Sequence, residues 1–348
     1  MARTIKPALM QSNRLKLLLD REVQPMQTLC YPLHPLSAFG TPLAGDTLFG
    51  QLCWTLRHQL GNARLNELLQ GYTSGKPFAV VSDALPAGFV PLPHVPSDLW
   101  QKSIEADAPD RKALKRKKWL PLADLSQPFA QWQASAKSDA QVAPESAAPI
   151  DRAQPHNTIN RQTGTTGEGQ FTPYAMPQIW FHPAMRFDVY VTLDEARLRT
   201  TELCAALDYM GATGFGRDAS IGLGKFERIG EVVPVVFPAA AGANSYVTLG
   251  PCAPQGLGFC PVRSTYQVAM RFGRHGDAAV QSGQPFKRPV LLAKAGGVFW
   301  PEAVDATRHF IGQGLGGTEN PMSLAMPETV QQGYAPVIAI HRTLEATA

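Results

Sequence analysis

The sequence feature that most constrains this chain is a run of glycines and charges between residues 211 and 227, which reads GATGFGRDASIGLGKFE. Glycine has no Cβ and adopts positive φ readily, so the run predicts a loop whose backbone turns tightly and presents bare N–H groups to a ligand. Two cations in the run, Arg217 and Lys225, favour an anion. The sequence therefore predicts an anion-binding loop, and a long helix-to-strand turn without a ligand is the alternative.

The segments on either side of the loop decide which known motifs it can belong to. Alternation at 187–192 predicts a strand, and Thr192 to Glu195 has the spacing of a capping box. A helical period follows and ends at Gly211 as the residue after the helix, and alternation from 223 to 229 predicts another strand. A dinucleotide fingerprint must follow a strand and open a helix. This run instead follows a helix and precedes a strand, so it does not fit that fingerprint.

A Walker A loop is excluded because Phe226 follows Gly224 and Lys225 where that motif needs Ser or Thr. A nucleotide-binding enzyme that uses the glycine loop in another way remains one open alternative.

The N-terminal part of the chain repeats the strand and helix pattern. Strands are predicted at 27–33 and 78–81. Helices are predicted from Asp46, as the N-cap, onward and at 63–70. Together with the later unit, this gives two successive β-α-β units, the arrangement of a ferredoxin-like sheet. The aromatic pair that stacks bases in RNA-recognition modules is not apparent, so the topology alone does not give a function.

A long insertion at about 91–177 separates the two units. Six cations lie within 111–118, and they predict a phosphate-contacting patch or, alternatively, a solvated helix face. The segment 126–148 is rich in Ala, Ser, Gln and Pro and predicts a mobile loop. The segment 151–169 has almost no apolar residues and many side-chain donors suited to phosphate and sugar oxygens. Its Ile159 could act as an apolar wedge between bases.

Composition narrows the class of protein. The chain has 348 residues, of which 44% are hydrophobic and 17% charged, as expected for a soluble protein of two domains. The net charge of +4 permits nucleic acid without requiring it. Five cysteines without a C-x-x-C pair predict a reducing, cytoplasmic location, and no apolar run reaches membrane-spanning length. The eight histidines are scattered, so no metal site is predicted.

Four ordered segments carry a resemblance to a known family: 35–50, 156–169, 214–227 and 285–299. They resemble the RAMP superfamily, the RNA-binding subunits of CRISPR effector complexes, and in particular the subunits of type III-A Csm complexes that cap the five-prime handle of the guide RNA. The resemblance begins near Met26, which predicts that residues 1–25 are an N-terminal extension.

The resemblance implies an α+β fold with two ferredoxin-like (RRM-like) domains, at 26–237 and 245–348, the second degenerate. It implies guide RNA as ligand, a large polymerase-like subunit and a backbone RAMP subunit as protein partners, and target RNA as an indirect partner. It implies no catalytic residue, no metal, no cofactor and no membrane.

The predicted RNA-binding residues combine the polar segment, the glycine loop and two cations of the second domain. They are Arg152, His156, Asn157, Ile159, Asn160, Arg161, Thr163, Thr165, Gly214, Phe215, Gly216, Arg217, Ser220, Gly222, Gly224, Lys225, Lys287 and Arg288. The alternative is a metal-independent endoribonuclease that processes guide RNA, with His156 as general base and Arg152 or Arg161 stabilising the developing charge.

Overall fold

The structure, a computed structural model, describes residues 26–100, 111–276 and 283–342. The predicted extension at 1–25 and the last residues of the predicted second domain, 343–348, lie outside this range. The helices are α1 (Gly45–Leu60), α2 (Asn62–Leu69), α3 (Arg111–Arg116), α4 (Trp132–Ser135), α5 (Asp139–Val142) and α6 (Thr200–Thr213). Within the described ranges, no helix is long and apolar enough to cross a membrane.

Sixteen strands lie in the described residues and form several antiparallel sheets. They are β1 (Gln27–Pro35), β2 (Ala79–Pro86), β3 (Phe89–Pro91), β4 (Lys117–Pro121), β5 (Lys137–Ser138), β6 (Ile150–His156), β7 (Tyr174–Trp180), β8 (Phe187–Leu193), β9 (Phe226–Arg228), β10 (Val233–Pro234), β11 (Ser245–Thr248), β12 (Val268–Arg271), β13 (Val290–Ala293), β14 (Val298–Phe299), β15 (Phe310–Gly316) and β16 (Val330–Ile340).

The first sheet has the strand order β9-β1-β8-β2, and β10 also pairs with β1. Every pairing is antiparallel, α1 and α2 connect β1 to β2, and α6 connects β8 to β9. This is the order of two interlocked split β-α-β units. Alternate residues of β1, such as Leu29, Tyr31 and Leu33, are buried with the apolar faces of α1 and α6 in one core.

Helix α6 differs from its predicted bounds at both ends. Thr192 continues β8, where its buried hydroxyl lies 3.0 Å from that of Thr28, and the capping box is instead formed by Arg199 and Glu202. Gly211 lies inside the helix. A Cβ at this position would overlap the carbonyl oxygen of Phe226, so only glycine fits there. The helix ends at Thr213, and the residue that caps it, Gly214, has φ +103. Gly211 therefore serves helix-to-strand packing and does not end the helix.

The second half forms a four-stranded sheet, β14-β11-β16-β15, beside the two-stranded pair of β12 and β13. No α-helix occurs in its described residues, 245–276 and 283–342, so a second ferredoxin-like domain is not confirmed. The observed class is a mixed α and β chain with several small antiparallel sheets. Strand β15 has no predicted counterpart because its glycines at 312, 314 and 316 conceal the alternation.

A polar seam joins the two halves. At the irregularity between Val81 and Ala84 in β2, the Gln332 amide of β16 accepts from the Val81 N–H at 2.8 Å and donates to the Val81 carbonyl at 2.7 Å. The Tyr334 hydroxyl donates to the Tyr72 carbonyl at 2.6 Å. Buried polar groups need such partners, so these side chains fix the second sheet against the first.

The insertion is folded over much of its length. The segment 126–148, predicted to be a mobile loop, contains α4, α5 and β5 and packs on the sheet β3-β4-β5. Phe129 and Trp132 are buried, and the Trp119 indole donates to Asp139 at 2.7 Å. The prediction was wrong because a few bulky side chains, each buried, are enough to hold a segment that is otherwise rich in small residues.

The cationic cluster at 111–118 is divided between a helix and a strand. Lys117 donates to the carbonyls of Gln133 and Ala134 at 2.8 and 2.6 Å, and Lys118 lies 2.6 Å from the Asp139 carboxylate. These two lysines hold the insertion together. Lys115 and Arg116 on α3 are exposed.

Candidate nucleic-acid interface

The glycine loop connects α6 to β9 and folds back on itself. The Phe215 N–H donates to the Gly224 carbonyl at 2.9 Å, and the Gly224 N–H donates to the Ala38 carbonyl at 2.7 Å. Gly224 has φ +71, and a Cβ there would overlap the backbone of Phe215. The Phe215 side chain is fully buried in the first core. Phe215 and Gly224 therefore shape the loop from inside and offer no surface to a ligand.

Other N–H groups of the loop are also bonded to the protein, contrary to the predicted cradle of bare donors. The Gln51 amide of α1 donates to the Gly214 carbonyl and accepts from the Gly216 N–H, both at 2.8 Å. The Arg217 N–H donates to the Thr41 hydroxyl at 2.9 Å, and the Lys225 N–H to the Ser37 hydroxyl at 2.8 Å. The loop is thus a packed connection in which the N–H groups of residues 214–217 and 221–225 donate within the protein, while its outer side chains face solvent.

Arg217 links the loop to the insertion. Its guanidinium donates to the Pro177 carbonyl on β7 and lies 3.3 Å from the Asp218 carboxylate, with about a third of the side chain exposed. Asp218 itself has a left-handed backbone at φ +64. Arg217 therefore anchors the base of the β6–β7 hairpin, a contact that the sequence did not reveal. Ser220 and Lys225 are exposed on the outside of the loop.

The predicted polar segment lies on a β-hairpin of β6 and β7, which pair along seven residues each, from Ile150 with Trp180 to His156 with Tyr174. Seven paired residues span roughly 20 Å. The base is tied to the segment that follows β1 by reciprocal backbone bonds between Phe39 and Ile179, at 2.9 and 2.8 Å. The structure therefore joins the glycine loop to the hairpin on β7, through Pro177, and residues 157–173 form the tip.

One face of this hairpin carries aromatic and cationic side chains. Residues directly opposite on paired strands point to the same face, so Arg152, His156, Tyr174 and Trp180 share one side. The Arg152 guanidinium lies 5.6 Å from the Trp180 ring centre, and the His156 ring stacks on Tyr174 at 5.5 Å and 14°. Trp180 and Tyr174 are exposed. The alternation of Tyr174 and Trp180 with smaller residues was the signal that could have identified them.

The tip is organised by its own polar groups. Asn160 pairs with Thr165 through backbone bonding at 3.0 Å, and its side chain accepts from the Gln162 N–H at 2.9 Å. The Thr163 and Thr165 hydroxyls lie 3.0 Å apart. Around this turn, Asn157, Ile159 and Arg161 are exposed. Asn160 therefore sets the turn, and its neighbours present their side chains outward.

Two predicted cations of the second half lie elsewhere. Lys287 lines a cavity of about 80 Å³ with Cys53 and Trp54, and burial lowers the pKa of its ammonium. The cavity lies between α1, α2 and the second half, and a role of Lys287 in RNA binding stays a prediction. Arg288 is exposed at the β12–β13 pair. The structure does not bring either residue to the hairpin.

An ion pair between β12 and α1 joins the two halves of the chain. The Arg271 guanidinium lies 3.0 Å from the buried Asp46 carboxylate at the start of α1. Burial raises the pKa of Asp46, and the charge of Arg271 opposes that shift. Asp46, predicted to precede α1 as its cap, instead lies in the first turn and ties the two halves together.

His156 is the one predicted acid–base candidate. Its Nε2 atom is enclosed and has no hydrogen-bond partner among the described residues, and its ring lies flat on Tyr174. A general base must reach the proton that it removes. In this arrangement Nε2 is closed off from solvent.

Comparison with known proteins places this geometry in context. No family model and no curated protein matches the chain. Among solved structures, a chain of a Csm1–Csm4 cassette in complex with AMPPNP matches at TM-score 0.56 and 16% identity, over 92% of this chain and 100% of that one. A chain of a Csm3–Csm4 subcomplex from a type III-A CRISPR-Cas interference complex matches at TM-score 0.55 and 13% identity, over 91% and 100%.

Csm4 is the subunit that both complexes contain. The chain has a Csm4-like fold. At this identity the likeness concerns the fold alone, and it agrees with the resemblance to Csm subunits seen in the sequence. The alignment with each solved chain covers more than nine-tenths of this chain and the whole of the other. The likeness in fold therefore includes the insertion and the second half.

Proposed function

We propose that this chain is a non-catalytic RNA-binding subunit of a type III CRISPR effector complex, which holds the five-prime handle of the guide RNA. The observation that carries the proposal is the hairpin face with Arg152 and Trp180 at its base, Tyr174 and His156 further out, and Arg161 at an exposed tip. Single-stranded RNA is bound by just this combination, since bases stack on aromatic rings and phosphates pair with cations.

The protein partners follow from the complexes in which similar folds occur. Those chains are found with Csm1 in one assembly and with Csm3 in another. We extend this to a large subunit and a backbone subunit as neighbours of the present chain, with target RNA reached only through the complex. The RNA would lie along the hairpin. Arg217 of the glycine loop holds the hairpin through the Pro177 carbonyl, and Lys225 is exposed on the same loop.

The test uses the full chain and fluorescence anisotropy with the repeat-derived five-prime segment of the host's own guide RNA. With on the order of five phosphates neutralised, log K should fall with log salt at a slope of about −3 to −4. The double variant Arg152→Ala with Arg161→Ala should weaken binding, whereas the exposed pair Lys137→Ala with Arg308→Ala, away from the hairpin, should not. Equal affinity of both double variants, or a flat salt dependence, would contradict the proposal.

The alternative activity, cleavage of guide precursors without metal, has a separate test. A repeat-containing transcript is incubated with the chain in EDTA. We expect no specific product, because the Nε2 of His156 is buried and, among the described residues, has no hydrogen-bonded partner to activate it. Specific cleavage by the wild type that His156→Ala abolishes would replace the scaffold function with a nuclease.

A further inference from the structure

A small cavity at the junction of the two halves is lined by one lysine side chain from the second half. The cavity, of about 80 Å³, lies between α1, α2 and a second-half wall that includes His275, Lys287 and Glu328. The Lys287 N–H donates to the Gly273 carbonyl at 2.8 Å. The methylene stem of Lys287 lies against Gly273, since a Cβ built there would meet the Lys287 Cδ at 3.2 Å. Both contacts fix the stem and leave the ammonium at the cavity.

The described neighbours of this ammonium do not neutralise it. In the part of the chain that the structure describes, Lys287 makes no hydrogen bond and no ion pair. Burial raises the pKa of the nearby Cys53 thiol to about 12, so the thiol is uncharged at neutral pH. The Asp46 carboxylate is held by Arg271 at 3.0 Å. Burial lowers the pKa of Lys287 itself, because a charge at this place is poorly solvated.

The other polar groups of the cavity also suit an anion. Arg57 of α1 supplies a second cation, and Asn62 and Asn66 of α2 supply side-chain amides that can donate hydrogen bonds. The one acid among the described lining residues is Glu328, which is exposed. Burial lowers the pKa of His275, and the charge of Glu328 opposes that shift. Two cations and two amides therefore face one exposed carboxylate.

We propose that this cavity, called the Lys287 cavity, binds a free phosphate ion that joins the two halves of the chain. One water molecule needs about 10 to 15 Å³ of cavity, so 80 Å³ holds an ion of one phosphorus and four oxygens but not a ribose with its base. The charge of phosphate matches two cations, and its four oxygens can accept from Lys287, Arg57 and the amides together. The inference gives Lys287 a ligand other than RNA and does not rest on the proposed function.

The experiment titrates inorganic phosphate into the full chain by isothermal titration calorimetry. The buffer contains no other phosphate or sulfate, and chloride holds the ionic strength constant. Lys287→Met removes the ammonium, and Arg57→Gln removes the second cation from the other half, which keeps the test available if the first variant does not fold. The matched control is Lys294→Met, an exposed lysine of the second half outside the cavity. Thermal melting is recorded for each protein with and without phosphate.

We expect phosphate to bind wild type and the control alike. Affinity should fall roughly tenfold or more in Lys287→Met and should also fall in Arg57→Gln, because each variant loses a charge-assisted bond. The order of melting temperatures should invert. Without phosphate, Lys287→Met should melt at least as high as wild type, since an uncompensated charge in a cavity costs stability. With phosphate, wild type should melt higher, because only wild type binds the ion tightly.

The inference is overturned if phosphate binds Lys287→Met as tightly as wild type, or stabilises wild type no more than chloride of equal ionic strength. RNA anisotropy identifies the source of the phosphate group. If RNA competes with phosphate and loses affinity in Lys287→Met, the cavity belongs to the RNA backbone and the inference is also overturned. Failure of the proposed function is distinct, because it appears as absent RNA binding while the phosphate titration is unchanged.

Discussion

The glycine loop and the β6–β7 hairpin both looked like RNA-contacting segments in the sequence, yet they are built in opposite ways. In the loop, the N–H groups of Phe215, Gly216 and Gly224 donate to protein acceptors, and the Phe215 ring is buried. In the hairpin, most side chains are exposed and the strands bond chiefly to each other. A cluster of glycines thus indicates that backbone segments pack closely, whereas a polar run without apolar residues indicates a solvent-exposed segment.

The largest effect that tests this contrast is on stability in the loop. Gly224→Ala should lower the free energy of unfolding by about 3 to 5 kcal/mol, since the new Cβ would overlap the Phe215 backbone at a positive φ. Gly222→Ala is the matched control, because Gly222 also has positive φ but no atom lies within 4 Å of its added Cβ. Only the conformational cost of about 1 to 2 kcal/mol remains there. Urea denaturation measures both, and equal losses would show that packing does not distinguish the two glycines.

The next effect concerns Arg217, which belongs to both regions. Arg217→Met should lower the free energy of unfolding by about 1.5 to 3 kcal/mol, because it leaves the Pro177 carbonyl without its charged donor. Lys225→Met, on the exposed side of the same loop, should change stability by less than about 0.5 kcal/mol. Amide exchange at Phe39 and Ile179 should accelerate only in the Arg217 variant. Unchanged exchange there would mean that Arg217 does not hold the hairpin base.

On the hairpin, the expected change is in RNA affinity and not in folding. Tyr174→Ala should weaken binding by about 1 to 3 kcal/mol, the amount associated with one base stacked on an aromatic ring. Tyr209→Ala, an equally exposed tyrosine on α6, is the control and should bind RNA like wild type. Anisotropy titrations at one salt concentration compare them. If the two variants bind alike, the aromatic face is not where the bases lie.

The smallest expected effect is a change in salt dependence at the tip. Arg161→Ala should make the slope of log K against log salt shallower by about 0.7, the contribution of one phosphate contact in a single strand. Arg308→Ala removes an exposed arginine from the second half and should leave the slope unchanged. Titrations at several salt concentrations give both slopes. A shallower slope in the Arg308 variant alone would move the phosphate path away from the hairpin.

Local patterns in the sequence predicted those parts of the fold that depend on local periodicity. Alternation located β1, β8 and β9, and the helical period located α1 and α6, because burial of one face imposes a period that near neighbours reveal. The order of these elements was enough to predict the two interlocked β-α-β units. The polar composition of 151–169 also predicted an exposed segment, since such residues cannot form a core.

Tertiary structure alone decided where those elements end and what their polar groups bind. Thr192 extends β8 because Thr28 lies opposite it, and Gln51 bonds the glycine loop from a helix more than 160 residues earlier in the chain. Lys287 is enclosed because the second half packs on α1, not because of its neighbours in sequence. The sequence by itself determined which stretches alternate, turn or stay polar, because those properties depend on a few consecutive residues. Whether a cation or an amide faces solvent, a neighbouring carbonyl or a buried carboxylate depends on which distant segment packs against it, and only the folded chain settles that.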